Sequence, residues 1–403
     1  MKNKYPYLIV IVLSLLLTPF LSFGDYGVTI IIFFIDLLWN GGNRKLMSCK
    51  DVKSLCLLYT VCLIQSLLFF LLGNIDFVYF SRGGSTTLSY IAWIFLCYRF
   101  IEHYGEDALL YMNDSFVLAY SFSIVAAINK YGFLKVAVQT MSIFIGGFES
   151  AGSETDSILE ACNQILLIMP WISILFYFKY KASYDKRYFI RLIIAIIVSL
   201  LAYKRIAIAS ALFAFVLLYI LIKNRRNLIF PFAIVAITCC MLFVFFTKNE
   251  EIYCYADKFG VDLAFRDVLW KGISNLYEFS VDFMGRGWGY VTKYVHLYNM
   301  RIWNLKIGGL HSDILRTYIE LGFWGFILFK LYLLYFIPKM LYKTFRYASA
   351  IVFLTSQIYA ILVETTDNIM SYPACQLILI LAPFCFLKIG KVRNIQNSQN
   401  MEI

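Results

Sequence analysis

Long apolar runs separated by short polar stretches dominate the pattern of the chain. A helix of about 20 apolar residues crosses a hydrocarbon core about 30 Å thick, and about twelve such runs can be placed here. They cover residues 5–23, 26–40, 54–73, 87–102, 108–128, 157–178, 188–203, 206–222, 228–247, 313–337, 347–366 and 372–388. The pattern predicts an all-α, polytopic membrane protein in which residues 1–403 form a single transmembrane domain.

The basic residues predict the orientation of these helices, because cytoplasmic loops carry an excess of Lys and Arg. With the N-terminus placed in the cytoplasm, the inside segments hold nineteen basic residues and the short outside loops hold five. The five are Arg82, Lys130, Lys135, Lys204 and Arg205. We therefore expect both termini to be cytoplasmic.

The composition agrees with this pattern and excludes several classes of protein. Of the 403 residues, 61% are hydrophobic and 15% are charged, whereas soluble proteins are about 45–50% apolar and about 25% charged. A soluble protein of this length could not bury this excess of hydrophobic residues in its core. A soluble enzyme, a disordered chain and a secreted disulfide scaffold are therefore excluded. Cytoplasmic loops account for the net charge of +11, and we expect no nucleic-acid partner.

The ten cysteines do not form a metal-binding pattern. Most of them lie inside apolar runs, where cysteine acts as a small hydrophobic residue. Cys239 and Cys240 are adjacent, and no histidine lies near them in the chain. The spacing therefore predicts no zinc site and no other metal.

One outside loop, residues 248–312 between the ninth and tenth spans, is far longer than the others. Long loops without structure are uncommon, and most are functional. Over 262–277 the apolar residues recur at helical spacing, with polar residues on the other side. The apolar set is Phe265, Val268, Leu269, Ile273 and Leu276, and the polar set is Asp262, Asp267, Lys271, Ser274 and Glu278. We expect a short amphipathic helix that rests on the membrane or on the helix bundle.

Lys204 and Arg205 are the first candidates for function. They separate the seventh and eighth spans and lie at the membrane surface or slightly within it. A charge at this depth is costly and is often functional. A pair of side chains that snorkel to the interface is the alternative. A snorkelling basic pair would be ordinary at the cytoplasmic surface. It is less ordinary here, because the outside loops are otherwise almost free of basic residues.

Further candidates lie in the long loop and at its exit. Arg266 and Trp270 are four residues apart on the predicted helix, so the guanidinium can lie over the indole. Arg286 lies among glycines that let the backbone approach a ligand closely. His311 lies where the loop re-enters the membrane, and a neutral imidazole accepts a hydroxyl proton near pH 7.

Each of these residues also has an ordinary structural interpretation. Arg266 can be a surface arginine, and His311 can be a residue at a helix start, with Ser312 or Asp313 as the cap. Taken together, however, several guanidiniums near the outer leaflet make a bidentate anion site. A pyrophosphate attached to a lipid would meet them at this depth. The set therefore indicates an enzyme that handles a lipid-linked phosphorylated donor outside the cytoplasm.

Three stretches of the chain resemble a known family. They are Tyr203-Lys204-Arg205-Ile206-Ala207; Phe265-Arg266-Asp267-Val268-Leu269-Trp270 followed by Met284-Gly285-Arg286-Gly287-Trp288-Gly289; and Leu310-His311-Ser312-Asp313-Ile314-Leu315 followed by Glu320-Leu321-Gly322-Phe323-Trp324-Gly325. Their order, with the single long outer loop, resembles the O-antigen polymerase and O-antigen ligase superfamily of bacterial envelope glycosyltransferases. The resemblance covers residues 200–330. It departs from the family at Ser312, where the family often has Asn.

The resemblance implies a GT-C-like, inverting glycosyltransferase of the bacterial inner membrane. Such an enzyme uses an undecaprenyl-pyrophosphate-linked oligosaccharide and needs no cofactor. Carried over to this chain, Arg205 and Arg266 would bind the donor pyrophosphate, and His311 would orient or deprotonate the acceptor hydroxyl. These three are the candidate catalytic residues. The candidate substrate-binding residues are Lys204, Trp270, Arg286, Tyr290 and Asp313, with Arg286 beside the donor-binding arginines or on the acceptor side.

Polymerase and ligase differ in the acceptor, which is another lipid-linked repeat unit or lipid A-core. We predict a polymerase of surface polysaccharide, because an aromatic-rich chain suits an enzyme matched to one glycan, and ligase is the alternative. A flippase of the same glycan belongs to a different class and needs a polar path through the bilayer. Charges within the spans are few, Asp36 and Arg99 being the clearest, which favours an enzyme. Membrane lipid and a chain-length regulator protein are the further expected partners.

Overall fold

The computed structural model describes residues 50–138, 163–202, 204–224, 228–261, 263, 266–302, 309–345 and 347–386, and every regular element in these ranges is a helix. The helices are α1 (Lys50–Leu71), α2 (Phe77–Tyr104), α3 (Ala108–Tyr131), α4 (Asn163–Ser183), α5 (Lys186–Ala202), α6 (Arg205–Asn224), α7 (Ile229–Lys248), α8 (Glu251–Lys258), α9 (Arg266–Gly272), α10 (Tyr290–Ile302), α11 (Asp313–Leu331), α12 (Ile337–Thr344), α13 (Tyr347–Glu364) and α14 (Pro373–Leu381). Single-turn 3₁₀ helices cover Gly105–Asp107, Ser274–Leu276, Ile369–Ser371 and Ala382–Phe386.

Seven stretches within the described residues are long and apolar enough to cross a membrane. They are Val52–Leu71, Phe77–Tyr131, Ile165–Ser183, Arg205–Lys223, Ile229–Lys248, Asp313–Thr344 and Tyr347–Glu364. The second of them contains both α2 and α3, while α5 and the apolar helix Ala374–Phe384 are shorter. The predicted all-helical, polytopic architecture is confirmed. The number twelve stays a prediction, and the candidate spans 5–23 and 26–40 lie outside the described residues.

Several connections between the long helices meet at one end of the bundle. The contacts are Ser66 Oγ to Trp288 O (3.1 Å), Lys248 Nζ to Ser274 O (2.7 Å) and Arg266 Nε to Thr366 O (2.8 Å). They join the end of α1, the end of α7, the loop 248–312 and the turn after α13. The alternation of inside and outside connections placed all of these segments on the outer side. Their grouping is consistent with that alternation, and which side faces outward stays a prediction.

The predicted amphipathic helix over 262–277 is shorter than expected. The helix α9 ends at Gly272, and a 3₁₀ turn follows it. Leu269 and Ile273 are buried as expected, but Val268 is 40% exposed and therefore does not belong to the packed side. The structure also places α8 and α10 in this part of the chain.

The helix α11 is broken at Gly322, where φ is 76° and ψ is −178°. Beyond the break, residues 323–344 continue through a π-helical turn into α12. These 22 residues extend about 33 Å, at about 1.5 Å per residue, and can cross the bilayer alone. The predicted span 313–337 therefore consists of two helical segments. The first, Asp313–Leu321, is buried along its whole length.

Residues 283–291, here called the glycine loop, pack against this break. The backbone hydrogen bonds are Arg286 N to Ile319 O (2.8 Å), Gly287 N to Glu320 O (2.9 Å) and Phe323 N to Phe283 O (2.9 Å). Gln65 of α1 completes the joint, because its Nε2 donates to Met284 O and to Leu321 O, both at 3.1 Å. Carbonyl groups freed by the broken helix are thus bonded to the loop and to α1.

Gly285 and Gly322 make the closest approach in this joint. A Cβ built on Gly285 would lie 2.5 Å from Gly322 N, and one built on Gly322 would lie 2.3 Å from the carbonyl carbon of Met284. Both residues have positive φ, which glycine adopts without the strain that a Cβ brings. The expectation that glycines beside Arg286 serve close approach of a ligand is therefore corrected for Gly285, whose space is taken by α11.

A charged pair is buried between α11 and α13. Lys330 Nζ donates to Glu364 Oε2, and the two side chains are 1% and 4% exposed. Sequence analysis did not single out either residue. Of the charges that it did single out, Asp36 lies outside the described residues, and Arg99 pairs with Glu102 at 3.3 Å.

Candidate functional site

His311 lies between α10 and α11 in a backbone conformation that few residues other than glycine adopt. Its φ is +53°, in the left-handed region, where non-glycine residues are uncommon. Its neighbours hold it there. Leu310 O accepts a bond from Trp270 Nε1 (3.1 Å), and Ser312 Oγ donates to Glu364 O (3.1 Å). Strained conformations of this kind cluster at functional sites.

The cap of α11 is Ser312, as one of the two sequence-based interpretations expected. Its Oγ accepts a bond from Leu315 N at 3.4 Å, and its side chain is fully buried. The family often has Asn at this position, and Asn caps helices equally well. Ser312 therefore caps α11 as an Asn would.

Three charged side chains act on the His311 imidazole. Burial lowers the pKa of His311 below its ordinary value of 6.5, Asp367 raises the pKa, and Arg266 and Lys204 lower it. The imidazole is therefore neutral at pH 7 and can accept a proton. Its Nδ1 is enclosed and has no hydrogen-bond partner within the described part of the chain.

Arg266, the first residue of α9, is brought to His311 by the turn that follows α13. Its Nε donates to Thr366 O (2.8 Å) and its Nη1 donates to Leu263 O (3.2 Å). Thr366 precedes Asp367, so one turn holds both the arginine and the carboxylate that act on the imidazole. The indole of Trp270 has separate contacts, the bond to Leu310 O and the ring of Phe243 at 5.7 Å. Trp270 is 1% exposed and positions the backbone beside His311.

Lys204 and Arg205 lie at the N-terminus of α6. Ile208 N donates to Lys204 O (3.1 Å) in the first turn, Lys204 is partly exposed and Arg205 is exposed. A helix N-terminus carries a partial positive charge, so two cations there repel the helix dipole and attract an anion. Lys204 lies close enough to His311 to lower its pKa, as Arg266 does.

Asp313 follows the cap of α11 and is enclosed by protein. Its side chain is fully buried, its Oδ1 is 2.9 Å from Nη2 of Arg316, and its Oδ2 accepts a bond from Met370 N at 2.6 Å. Nη1 of Arg316 donates in turn to Ser371 Oγ (2.5 Å). These contacts tie α11 to the turn between α13 and α14.

That turn is the part of the site that sequence analysis missed. Asp367 is 4% exposed, and its Oδ1 accepts a bond from Asn368 N at 2.8 Å. Asn368 packs against Gly309, where an added Cβ would lie 2.5 Å from its Nδ2. The only signal in the sequence is a polar run, Thr365-Thr366-Asp367-Asn368, between two apolar helices. The run looks like any short connection until the fold places it beside His311.

Arg286 and Tyr290 form a second group, next to Leu276 and α2. Nε of Arg286 donates to Leu276 O (2.9 Å). The ring of Tyr290 stacks on Tyr79 of α2, with centroids 4.4 Å apart. Burial raises the pKa of Tyr290, Tyr79 raises it further, and Arg286 lowers it. The structure thus brings Lys204, Arg266 and His311 together and places Arg286 and Tyr290 beside α2.

Within the described ranges, no three His, Cys, Asp or Glu side chains gather as metal ligands would. The expectation that the protein uses no metal and no cofactor stays a prediction.

Comparison with known proteins identifies one family. Residues 190–330 match the family model described as O-antigen ligase. This segment contains all eight candidate site residues, and the match confirms there the resemblance to the O-antigen polymerase and ligase superfamily. It supports an activity in O-antigen assembly, as polymerase or as ligase, in an integral membrane protein. No curated protein and no solved structure matches the chain.

Proposed function

Because residues 190–330 match the O-antigen ligase family, we propose that this protein transfers a glycan from undecaprenyl pyrophosphate to a hydroxyl acceptor at the outer face of the membrane. One observation carries the proposal. Cationic side chains from separate parts of the chain, Lys204 and Arg266, converge on an imidazole whose pKa is lowered. That combination suits a reaction with an anionic leaving group and a proton to remove.

The cations bind the donor. Arg205 and Arg266 provide planar guanidinium groups that can grip phosphate oxygens in pairs, and Lys204 adds charge beside them. The N-terminus of α6 contributes backbone N–H groups and a partial positive charge. Negative charge grows on the pyrophosphate as it leaves, and one donor aimed at such charge is worth about 10²–10³ in rate.

His311 acts on the acceptor. The acceptor oxygen forms a bond to the anomeric carbon, and the bond from that carbon to the phosphate oxygen breaks. The electron pair stays on the departing undecaprenyl pyrophosphate, and the hydroxyl proton passes to the neutral imidazole. Asp367 stabilises the imidazolium, since it raises the pKa of His311. Trp270 and Asp313 act through the backbone on either side of His311 and not on the substrate itself.

We assign the acceptor as a second lipid-linked repeat unit, which makes the protein a polymerase. The aromatic-rich chain supports that choice. The description of the matched family favours the second candidate, a ligase that transfers the finished glycan to lipid A-core. The two reactions share donor and chemistry, so the site residues suit both.

Gel analysis of surface polysaccharide from a deletion strain separates the candidates. A polymerase deletion leaves single repeat units on the core. A ligase deletion leaves bare core together with lipid-linked polymer. A lipid-linked intermediate trapped in the cytoplasm identifies a flippase and excludes both transferases. Complementation with the wild-type gene must restore the normal ladder of bands.

Arginine-to-lysine variants test the grip on pyrophosphate. Arg205→Lys and Arg266→Lys keep the charge but lose the planar fork, so polymer should fall by about 10²–10³ at normal protein levels. Arg191→Lys is the matched control, because Arg191 also makes a bidentate contact, to Asp114 at 2.9 and 2.6 Å, away from His311. Full-length polysaccharide from both site variants would show that Arg205 and Arg266 contribute only surface charge and do not grip pyrophosphate.

The orientation that this function requires places α8 outside and both termini in the cytoplasm. Cys254 of α8 is exposed. We expect a membrane-impermeant thiol reagent to label Cys254 in whole cells of a variant whose other cysteines are removed. A protease site placed next to α8 should be cut from the same side. Cleavage only from the cytoplasm would end this assignment.

A further inference from the structure

Three tyrosine rings form a stack, here called the tyrosine ladder, at the end of the bundle that holds His311. Tyr79 of α2 stacks on Tyr290 of α10 at 4.4 Å with an angle of 22° between the rings. Tyr290 stacks on Tyr294, one turn along α10, at 5.9 Å and 16°. All three side chains are partly exposed. The rings cover part of one another's faces, and the remaining surface of the stack is partly exposed.

Charged groups flank the ladder. Arg286 and Asp76 both lie close enough to Tyr290 to act on its hydroxyl, and both are exposed. Arg286 uses Nε to bond Leu276 O, and neither of its Nη atoms has an acceptor among the described residues. Asp76 precedes α2, and its side chain does not cap that helix. Beside the ladder, the guanidinium of Arg286 can therefore donate hydrogen bonds and the carboxylate of Asp76 can accept them.

The backbone joins the ladder rigidly to the catalytic end. Val291, next to Tyr290, donates its N–H to Oε1 of Glu320 at 3.0 Å, and Glu320 is 2% exposed on α11. Glu320 is seven residues from Asp313 along the same helix, which is about 10 Å at 1.5 Å per residue. Both ends of this link are buried and hydrogen-bonded.

We propose that the tyrosine ladder, with Arg286 and Asp76, is a binding subsite for pyranose rings of the glycan. An aromatic face carries negative charge, which attracts the weakly positive C–H bonds on the apolar face of a sugar ring. Tyrosine offers a large, rigid contact at little cost in side-chain entropy, as in other binding surfaces. Arg286 and Asp76 bond the hydroxyl groups at the rim of the sugar. The subsite rests on the proposed function and sets which repeat unit is accepted.

The test measures steady-state kinetics of purified full-length protein. The donor is the undecaprenyl-pyrophosphate-linked repeat unit, and the acceptor is the free oligosaccharide released from it by mild acid. Tyr79→Leu and Tyr294→Leu should raise KM by about 3-fold to 10-fold and leave kcat nearly unchanged, because a stacked contact is lost away from the reacting atoms. Varying each substrate at a saturating level of the other assigns the ladder to the acceptor glycan or to the donor glycan. An unchanged KM for both substrates overturns the proposal.

Phe77 supplies a matched control on the same helix. It is 64% exposed, and it packs with Phe70 at 6.1 Å in a cluster without hydroxyl groups. Phe77→Leu should leave both KM values unchanged. An equal rise in KM for Phe77→Leu would show that the aromatic residues of α2 act as a membrane anchor, and would overturn the subsite.

Direct binding provides a readout that is independent of turnover. Saturation-transfer NMR with the free oligosaccharide should show contact to C–H protons with wild-type protein and a weaker signal with Tyr79→Leu. Equal signals would contradict the subsite. The proposed function fails separately, if Arg205→Lys and Arg266→Lys remain fully active. If those variants lose activity while the ladder variants keep the wild-type KM values, the ladder proposal is wrong and the proposed function stands.

Discussion

The strain at His311 has a specific structural cause. His311 lies between Leu310, whose carbonyl is bonded by Trp270, and the buried cap Ser312, which is bonded to Glu364 O, and it takes a φ of +53° between them. A non-glycine residue in this region is held by its surroundings at a cost of about 1–3 kcal/mol. Glycine or asparagine would fit the backbone better. Either residue would therefore keep the backbone conformation and remove the imidazole.

His311→Asn and His311→Gly separate the imidazole from the backbone. Both residues accept the left-handed conformation, so the variants should fold at least as well as wild type. Transfer in vitro should nevertheless fall by about 10²–10⁴, because the proton acceptor is lost. Thermal stability of the purified variants is the control. Unchanged turnover in both would remove histidine from the mechanism.

The pH dependence of kcat/KM follows from the charges that act on His311. The imidazole must be neutral to act as a base, so activity should rise with pH through a pKa below 6.5. Lys204→Gln removes a charge that lowers the pKa and should move the rising limb to higher pH. Asp367→Asn removes the charge that raises the pKa and should move the limb to lower pH.

These opposite shifts distinguish titration of His311 from a general loss of activity. Arg187→Gln provides a control, since Arg187 pairs with Asp185 at 2.9 Å and is more than half exposed. It should leave the limb unmoved. A limb that stays in place in both Lys204→Gln and Asp367→Asn would assign the titration to another group.

The sequence predicted some site residues because their chemistry is visible without a fold. Lys204 and Arg205 stand out as basic residues in outer loops that have few others, and His311 is one of three histidines. Asp367 could not be found in this way, since an aspartate in a short polar turn is common and its partner is 56 positions away in the chain. Trp270 and Asp313 were predicted to bind substrate. In the structure Trp270 bonds Leu310 O, and Asp313 contacts Arg316 and Met370 N.

At the scale of elements, the break in α11 organises the end of the bundle that holds the glycine loop. The glycine loop replaces the helical hydrogen bonds that are lost at Gly322, and Gln65 bonds both partners. At this joint the backbones of Gly285 and Gly322 lie so close together that neither residue has room for a Cβ. The loop carries both Arg286 and Tyr290. Its position therefore sets the position of these two side chains.

Gly322→Ala should displace the glycine loop. The new Cβ would meet the Met284 carbonyl carbon at 2.3 Å, and alanine would be strained at φ of +76°. We expect polymer synthesis to fall by about 10-fold to 100-fold, because a displacement of about 1 Å at a site can cost that much. Limited proteolysis should show faster cleavage within the glycine loop.

Gly84→Ala is the matched control for this prediction. A Cβ on Gly84 meets nothing within 4 Å, and the residue lies inside α2. Alanine is favoured over glycine in a helix by about 1 kcal/mol. The control should keep full activity. Normal synthesis in Gly322→Ala would mean that the joint tolerates displacement.

The period of apolar residues predicted most of the long helices but not the breaks within them. Hydropathy reports whether a segment can lie in lipid, and residues 313–337 satisfy that test as one run. The break at Gly322 depends on a partner that is 37 positions away, Gly285, whose backbone fills the space beside it. The same limit applies to α9, which ends at Gly272 although the apolar pattern continues to Leu276.

At the scale of the whole molecule, the buried pair of Lys330 and Glu364 holds two long segments together. The side chains are 1% and 4% exposed, so neither reaches water. Removal of one partner from such a pair leaves an unpaired buried charge and costs about 3–5 kcal/mol. Replacement of both by apolar groups of similar size is often neutral or stabilising.

Lys330→Met and Glu364→Leu should each lower the stability of the protein by about 3–5 kcal/mol, and the double variant should recover most of the loss. Size-exclusion chromatography after heating the detergent-purified protein measures this. Lys339→Met is a control, because Lys339 is exposed and contacts only the Tyr335 ring and hydroxyl. A double variant no more stable than either single variant would show that the charges have a role other than pairing.

The same pair also constrains how the protein is made. A lysine or an aspartate near the centre of a helix costs about 2.5–3.5 kcal/mol during insertion into the membrane. The insertion of α11 therefore carries this cost until Glu364 of α13 can pair with Lys330. Lys330 and Glu364 are separated by 34 positions, which a ribosome translates in about 2–7 s at 5–20 residues per second. During that interval the nascent α11 must remain beside the insertion machinery or another protein surface. The two segments should therefore be released into the bilayer together, as a hairpin.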